Sequence, residues 1–159
     1  MASILPPLPK FFFSVLEPLA LLVSPVAFTL NQRKFIAAQL PSTSQNIELY
    51  RETSTERILA LQLVNMYGVI GMIEAVVLYT TSEPKVVHRF LLGCAIGDLG
   101  HLAAVISVMG IEDATNVRAW NDLAWGGIGF TILILAIRVL YLMGFLGTDR
   151  LPNGRGKTH

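Results

Sequence analysis

Residues 58–80 read ILALQLVNMYGVIGMIEAVVLYT, an apolar run in which Glu74 is the single charged residue. A helix needs ~20 apolar residues to cross the ~30 Å hydrocarbon layer of a bilayer, and this run is long enough. Three further apolar runs lie at about 11–30, 86–110 and 123–147. We therefore predict an all-α fold, a bundle of four transmembrane helices with both termini on the same side of the membrane.

The composition of the whole chain agrees with a membrane protein. Hydrophobic residues make up 53% of its 159 residues and charged residues 14%, against about a quarter in soluble domains. The net charge of +1 and the lack of a Lys/Arg cluster exclude nucleic acid as a partner and leave membrane lipid. We expect one membrane domain over residues 1–147 and a flexible polar tail over 148–159.

Polar side chains inside the predicted spans are the main functional signal of the sequence. A charge at the bilayer centre costs at least ~2.5–3.5 kcal/mol, so such groups should face one another or a cavity. The group comprises Glu17, Glu74, Asp98, His101 and Arg138, with Asn65 nearer a span end and Asn121 and Asp122 at the mouth of the fourth span. The sequence therefore predicts a polar site within the membrane.

The depth of each polar residue follows from the helical rise of ~1.5 Å per residue. We name the membrane face that holds both termini side A and the opposite face side B. Glu17, Glu74 and Arg138 fall in the third nearest side A and are expected to meet in one layer. Asp98 falls near mid-depth and His101 towards side B. Asp98 and His101 are three residues apart on one helix face, so this pair can touch.

The first span carries two prolines beside a stripe formed by Glu17, Leu21 and Ser24. Pro18 and Pro25 have no N–H to donate, so a kink is expected that frees backbone carbonyls into the bundle. Such a kink often borders a cavity.

Several of these residues also have a purely structural explanation. Arg138 can form an ion pair with Glu17 or Glu74 that holds helices together. Asn65 can serve as an interhelical hydrogen bond. Trp120 can belong to an aromatic belt at the side B interface.

The third span contains Gly93-x-x-x-Gly97, a spacing at which helix backbones approach closely. Such an approach allows a homo-oligomer.

Five blocks carry a resemblance to known proteins. They are FFFSVLEPLA at 11–20, QLVNMY at 62–67, EAVVL at 74–78, DLGH at 98–101 and WNDLAWGGIGFT at 120–131. Across nearly all of residues 5–147 the chain resembles a largely uncharacterised family of small fungal four-helix integral membrane proteins. A looser resemblance is to the fungal integral-membrane terpene cyclases of meroterpenoid pathways and to the sterol-isomerase and sigma-2-receptor superfamily.

The function we expect is that of an acid–base enzyme in the membrane of the endoplasmic reticulum. Its reaction would be the cyclisation or isomerisation of a terpenoid or sterol-like substrate that enters from the bilayer. The chain has no nucleotide-binding loop, no metal-binding motif and no haem ligand set, so we predict neither a cofactor nor a metal.

The expected catalytic groups are carboxyls and one imidazole. Protonation of an alkene or epoxide needs a neutral carboxylic acid, which an apolar cavity favours, whereas a paired arginine favours the carboxylate. We therefore place the acid away from Arg138, at Asp98 with His101 as its partner, and take Asp122 as second choice. The catalytic candidates are Asp98, His101, Glu74, Glu17 and Asp122; the substrate-binding candidates are Asn65, Tyr67, Trp120, Asn121, Trp125 and Arg138.

A second function fits the same residues. A sterol- or lipid-binding protein or an accessory membrane subunit would use the polar groups only to set the register of the helices. A proton-coupled carrier comes third, because four helices leave little material for a transport pathway. An enzyme needs an apolar pocket that ends at a carboxyl, a carrier needs a wet path, and a scaffold needs no pocket.

Overall fold

A computed structural model describes residues 4–40 and 48–149. Four of its helices are long and apolar enough to cross a membrane: α1 (Pro7–Leu30), α3 (Ser54–Thr80), α4 (Pro84–Met109) and α6 (Asp122–Leu142). Two short helices, α2 (Gln32–Ala37) and α5 (Ile111–Thr115), lie in the connections on side B. The four-helix all-α fold predicted from the sequence is confirmed, and the helices indicate an integral membrane protein.

The ends of the helices differ from the sequence boundaries for local reasons. α1 begins at Pro7, four residues before the apolar run, because a proline is well placed in the first helical turn. α6 ends at Leu142, since Gly144 adopts a φ of +83° and the Phe145 N–H donates to the Leu140 carbonyl at 2.9 Å. The predicted continuation of this span to residue 147 is therefore a turn.

α3 begins with a capping box. The Thr53 hydroxyl accepts a hydrogen bond from the Glu56 N–H at 3.2 Å, and the Glu56 carboxylate accepts one from the Thr53 N–H at 2.6 Å. Tyr50 donates its hydroxyl proton to the same carboxylate at 2.9 Å. Burial and this hydrogen bond raise the pKa of Tyr50 to about 12.

The helices pack as two pairs. α1 lies against α3, and α4 lies against α6. The largest buried cluster closes the side A end and includes Phe13, Leu78, Val87 and Leu91. Two smaller clusters close side B, one around Phe28 and the other around Ile128. A cavity remains between the two pairs at mid-depth.

Residues beyond α6 include part of the predicted tail. Residues 150–159 lie outside the described part, as do residues 41–47 of the long polar connection. Asp149, the second residue of the expected flexible tail, is held in place: the Tyr141 hydroxyl donates to its Oδ1 at 2.6 Å. The flexibility of the tail stays a prediction.

Candidate functional site

Arg138 is the centre of the polar site. Its side chain is fully buried, and its Nη2 donates to both carboxylate oxygens of Glu17 at 2.6 Å. Its Nη1 donates to Oδ2 of Asp98. The Phe13 ring lies beneath the guanidinium, with its centroid 5.3 Å from Cζ. One arginine thereby connects α1, α4 and α6, and the ion pair with Glu17 is one of the two that the depth count allowed.

The position of Asp98 corrects the sequence interpretation, which placed this carboxyl away from Arg138. Side chains of a helix tilt towards its N-terminus. α4 runs from side A to side B, so Asp98 leans towards side A, whereas α6 runs in the opposite direction and Arg138 leans towards side B. The two side chains therefore meet although their backbones lie at different depths.

Glu74 is buried without a partner. Its side chain is 1% exposed, and neither carboxyl oxygen makes a hydrogen bond within the described residues. Glu17, Arg138 and Asp98 lie within electrostatic range. A Cβ added at Gly71 would lie 3.5 Å from the Leu21 Cβ, so this face of α3 is pressed against α1. In the described part of the chain Glu74 forms no ion pair with Arg138, and the three-residue layer is therefore only partly formed.

A cavity of about 1010 Å³ lies between the helix pairs. This volume is at the upper end of the roughly 300–1,000 Å³ found for small-molecule sites. Its wall is mostly apolar, and among its polar lining residues are Glu17, Ser24, Tyr67, Asp98, His101, Asp122 and Thr131. Along α4 the lining runs from Arg89 to Val105, which corresponds to ~24 Å of helix. The cavity is therefore long and mostly apolar, with polar side chains at a few positions of its wall.

The carboxyls of Glu17 and Asp98 mark one region of this cavity. Their side chains keep 12% and 17% of their surface exposed, because each carboxyl meets Arg138 on one side and the cavity on the other. Only Oδ2 of Asp98 accepts from Arg138; its Oδ1 has no hydrogen-bond partner among residues 4–40 and 48–149. This oxygen is an unused acceptor at the cavity wall.

His101 lines the same cavity one turn of α4 beyond Asp98. It is half-buried and makes no hydrogen bond in the part of the chain that the structure describes. His101 and Asp98 lie within electrostatic range, but within the described residues they form no hydrogen bond or ion pair, because Asp98 turns towards Arg138. His101 is thus an ionisable side chain of the cavity wall that forms no ion pair within the described residues.

The connection between α5 and α6 holds three predicted substrate-binding residues outside the cavity lining. The Asn121 side chain accepts from the Ala124 N–H at 2.8 Å and donates to the Ala38 carbonyl at 3.0 Å, so it caps α6. The rings of Trp120 and Trp125 contact each other edge to face at 5.0 Å between centroids. These three side chains have structural contacts outside the cavity lining, and their binding of a substrate stays a prediction.

Asn65 also lies outside the cavity lining and is exposed, and Arg138 and Glu74, which are buried, do not line the cavity either. Nine residues separate Asn65 from Glu74, which places the two on opposite faces of α3. With Glu74 turned inward, Asn65 must face outward. Tyr67, two residues further along, lines the cavity as predicted.

Pro18, inside α1, leaves one backbone carbonyl without its usual helical donor. Pro18 cannot donate to the carbonyl four residues earlier, which belongs to Ser14. The Tyr79 hydroxyl donates to that carbonyl at 2.7 Å. A π-helical turn over Phe12–Leu16 immediately precedes Glu17 and widens α1 there. The sequence signal of the prolines therefore located a real irregularity beside the site.

Sequence reasoning missed a second polar cluster at side A. His88 lies in α4, and its Nε2 is 3.0 Å from the Tyr141 hydroxyl and 3.2 Å from Oδ2 of Asp149. His88 is one turn after the start of α4 and Tyr141 is next to the end of α6. Because His88 and Tyr141 lie at a similar depth, a count of helical rise could have predicted this contact.

The comparisons with known proteins give a family and no further relative. Residues 2–148 match the family described as "Domain of unknown function (DUF7704)", and the chain belongs to this family. No curated protein and no solved structure matches the chain. Within the described residues, no three His, Cys, Asp or Glu side chains are placed to hold a metal ion together.

Proposed function

We propose that this protein is a cofactor-free acid–base enzyme, a cyclase or isomerase that acts on a terpenoid or sterol-like substrate taken from the bilayer. The observation that carries the proposal is the long, mostly apolar cavity whose wall holds the carboxyls of Glu17, Asp98 and Asp122 and the imidazole of His101. An apolar wall suits a hydrocarbon substrate, and the polar groups stand where charge would develop during proton transfer.

The ion pairs support a choice among the candidate proton donors. Glu17 and Asp98 are each committed to a hydrogen-bonded ion pair with Arg138. Asp122 is exposed at the cavity rim. His101 is half-buried in the cavity and forms no ion pair within the described residues, and histidine is the most frequent general acid and base among the side chains. We assign proton donation to His101 and cation stabilisation to Asp98.

The proposed reaction conserves protons. The imidazolium of His101 gives its proton to the oxygen of a substrate epoxide, and the C–O bond breaks to leave a carbocation and a hydroxyl group. An alkene of the same substrate attacks the cation and forms a C–C bond, and the Asp98 carboxylate stabilises the positive charge meanwhile. The cyclised cation then loses a proton from carbon to the neutral imidazole, which restores the starting form of His101.

Other cavity residues have supporting parts. The Tyr67 ring lines the wall and offers a π-face to a carbocation. Glu74 and Arg138 are buried and do not line the cavity. Their proposed role is therefore indirect: they set the electrostatic potential at the Glu17 carboxyl. The roles proposed for Asp98 and Glu74 thus differ from those expected from the sequence, because Arg138 pairs with Asp98, which the sequence interpretation had placed away from it.

The test is turnover in membranes. Microsomes that contain each variant receive a prenylated phenol or its terminal epoxide, and products are identified by mass and retention. We expect His101→Gln to reduce turnover by about 10²-fold, the typical contribution of general acid catalysis. Asp98→Asn reduces it as well, whereas Asn65→Ala, on the outer face of α3, leaves it unchanged. Full activity of His101→Gln would refute the assignment of the proton donor.

The binding-protein alternative has its own supporting observation. Arg138 is fully buried and joins three helices, an arrangement that a purely structural ion-pair network would also adopt. The same preparation discriminates between the two functions, because mild detergent extraction and mass spectrometry report any retained lipid. A retained sterol or terpenoid that never changes mass in any assay would favour the binding protein.

We also propose the endoplasmic reticulum as the location, on the strength of the looser resemblance to membrane-bound terpene cyclases. Co-fractionation of a tagged chain with markers of that membrane tests this. Recovery with plasma-membrane or mitochondrial markers would overturn it.

A further inference from the structure

The boundary between α3 and α4 contains a gap that leads into the cavity. We call this gap the α3–α4 seam and define it by Met66 and Ile73 on α3 and Gly93 and Gly97 on α4. All four residues line the cavity and are exposed on the outside of the bundle. Met66 is 52% exposed and Ile73 is 50% exposed, so the cavity reaches the lipid-facing surface here.

The two glycines keep the seam open. A Cβ added at Gly93 or at Gly97 would meet no atom within 4 Å, apart from its own helix backbone and chain neighbours. Glycines at this spacing normally permit close helix packing, yet no helix among the described residues occupies the space beside them. The seam therefore has room for at least one added methyl group at two successive turns of α4.

Two boundaries of the cavity are closed by helix packing. α1 packs on α3 and α4 packs on α6 along the bundle. The boundary between α6 and α1 is bridged at the polar site by Arg138 and Glu17, and Leu123 packs against the cluster around Phe28 at side B. α3 and α4 meet mainly at side A, where Leu78 and Val87 belong to one cluster. The α3–α4 seam is thus a lateral opening between two helices that pack together mainly at one end.

The polar wall of the cavity indicates what the ligand presents. Glu17 and Asp98 offer carboxylate oxygens to the cavity, and the donors of Arg138 are already directed at these two carboxylates. The unused Oδ1 of Asp98 can only accept a hydrogen bond while the group is ionised. A ligand bound along α4 therefore meets an acceptor near mid-depth, His101 one turn further towards side B and Arg89 at the side A end.

We propose that an elongated lipid-soluble molecule enters sideways through the α3–α4 seam and donates a hydrogen bond from a hydroxyl group to Asp98. The inference rests on the ligand-binding part of the proposed function and is independent of the reaction. A hydrogen bond to a charged group contributes about tenfold or more to affinity, so the hydroxyl selects among lipids of similar length.

The test uses the full-length protein in phosphatidylcholine vesicles and two photoreactive probes. One probe is a long-chain alcohol with a diazirine in its chain, and the other is the methyl ether of the same alcohol. Labelled peptides are identified by mass spectrometry as a function of incubation time before illumination. We expect the alcohol to label cavity residues of α3 and α4, and the ether to do so with about tenfold lower apparent affinity.

Gly97→Leu is the variant that blocks the seam. Gly100→Leu is its matched control, since Gly100 lies on the same helix, is equally exposed and open, and does not line the cavity. We expect Gly97→Leu to slow labelling by the alcohol and Gly100→Leu to leave the rate unchanged. Equal size-exclusion profiles and Tm values of the two variants establish that both are folded.

Each outcome decides one part of the proposal. An unchanged labelling rate in Gly97→Leu would refute access through the seam. Equal labelling by alcohol and ether, or labelling confined to lipid-facing residues outside the cavity, would refute the hydroxyl contact with Asp98. Labelling that behaves as expected in a protein without turnover of any substrate would leave the seam in place and overturn only the enzymatic function.

Discussion

Replacing Arg138 by methionine tests whether the buried charges form one interdependent group. The substitution keeps an unbranched apolar side chain but leaves Glu17 and Asp98, with 12% and 17% of their surface exposed, without their shared cation. Removing one partner of a buried ion pair typically costs about 3–5 kcal/mol, because the remaining charge is uncompensated. For a chain of this length we expect Arg138→Met to lower Tm by about 6–20 °C.

The informative control removes all three charges together. In the triple variant Arg138→Met, Glu17→Gln, Asp98→Asn no charge is left unpaired, and replacement of a whole buried ion-pair group is often neutral. We therefore expect its Tm to lie close to that of the unmodified chain. Thermal unfolding is followed by tryptophan fluorescence in one detergent at one protein concentration. A single variant as stable as the unmodified chain, or a triple variant as unstable as the single one, would refute the reasoning.

Two further predictions concern the side B end of α6. Gly129→Ala places a Cβ 2.8 Å from the Trp125 ring, so we expect an altered tryptophan emission spectrum. The aromatic contact that is lost is worth ~0.5–1.5 kcal/mol. The control Gly126→Ala meets nothing within 4 Å and should leave the spectrum unchanged. Asn121→Ala removes the cap of α6 and the hydrogen bond to Ala38, so the free energy of unfolding should fall by ~0.5–2 kcal/mol, and an unchanged Tm would contradict the capping role.

The fold could be predicted because its signals are local. Runs of apolar residues define helices by length alone, and the prolines of α1 define an irregularity by their missing N–H groups. Counting helical rise also placed Glu17 and Arg138 in one layer. The positions that could not be predicted depend on which face of a helix meets which neighbour. The outward position of Asn65 follows only once Glu74 is known to face inward.

Capping residues were a second source of error. A polar residue near a span mouth can bind a ligand or satisfy the free backbone groups of a helix end, and the sequence alone gives both explanations. At Asn121 the pattern of a helix start was present, since asparagine is among the preferred N-cap residues and α6 begins at Asp122. The local explanation should have been preferred there, because every helix end needs partners whereas few need a ligand.

The contact between Asp98 and Arg138 shows why depth alone was insufficient for the catalytic assignment. A depth count compares backbone positions, but side chains of antiparallel helices lean towards opposite membrane faces. A long side chain on α6 and an acidic one on α4 can therefore meet from different depths, as these two do. In the proposed function, proton donation therefore moves to His101, whose neighbour on the same helix face is committed to an arginine. In a membrane bundle, charge partners should be sought along the direction in which each side chain leans, and only afterwards can an unpaired titratable group be identified.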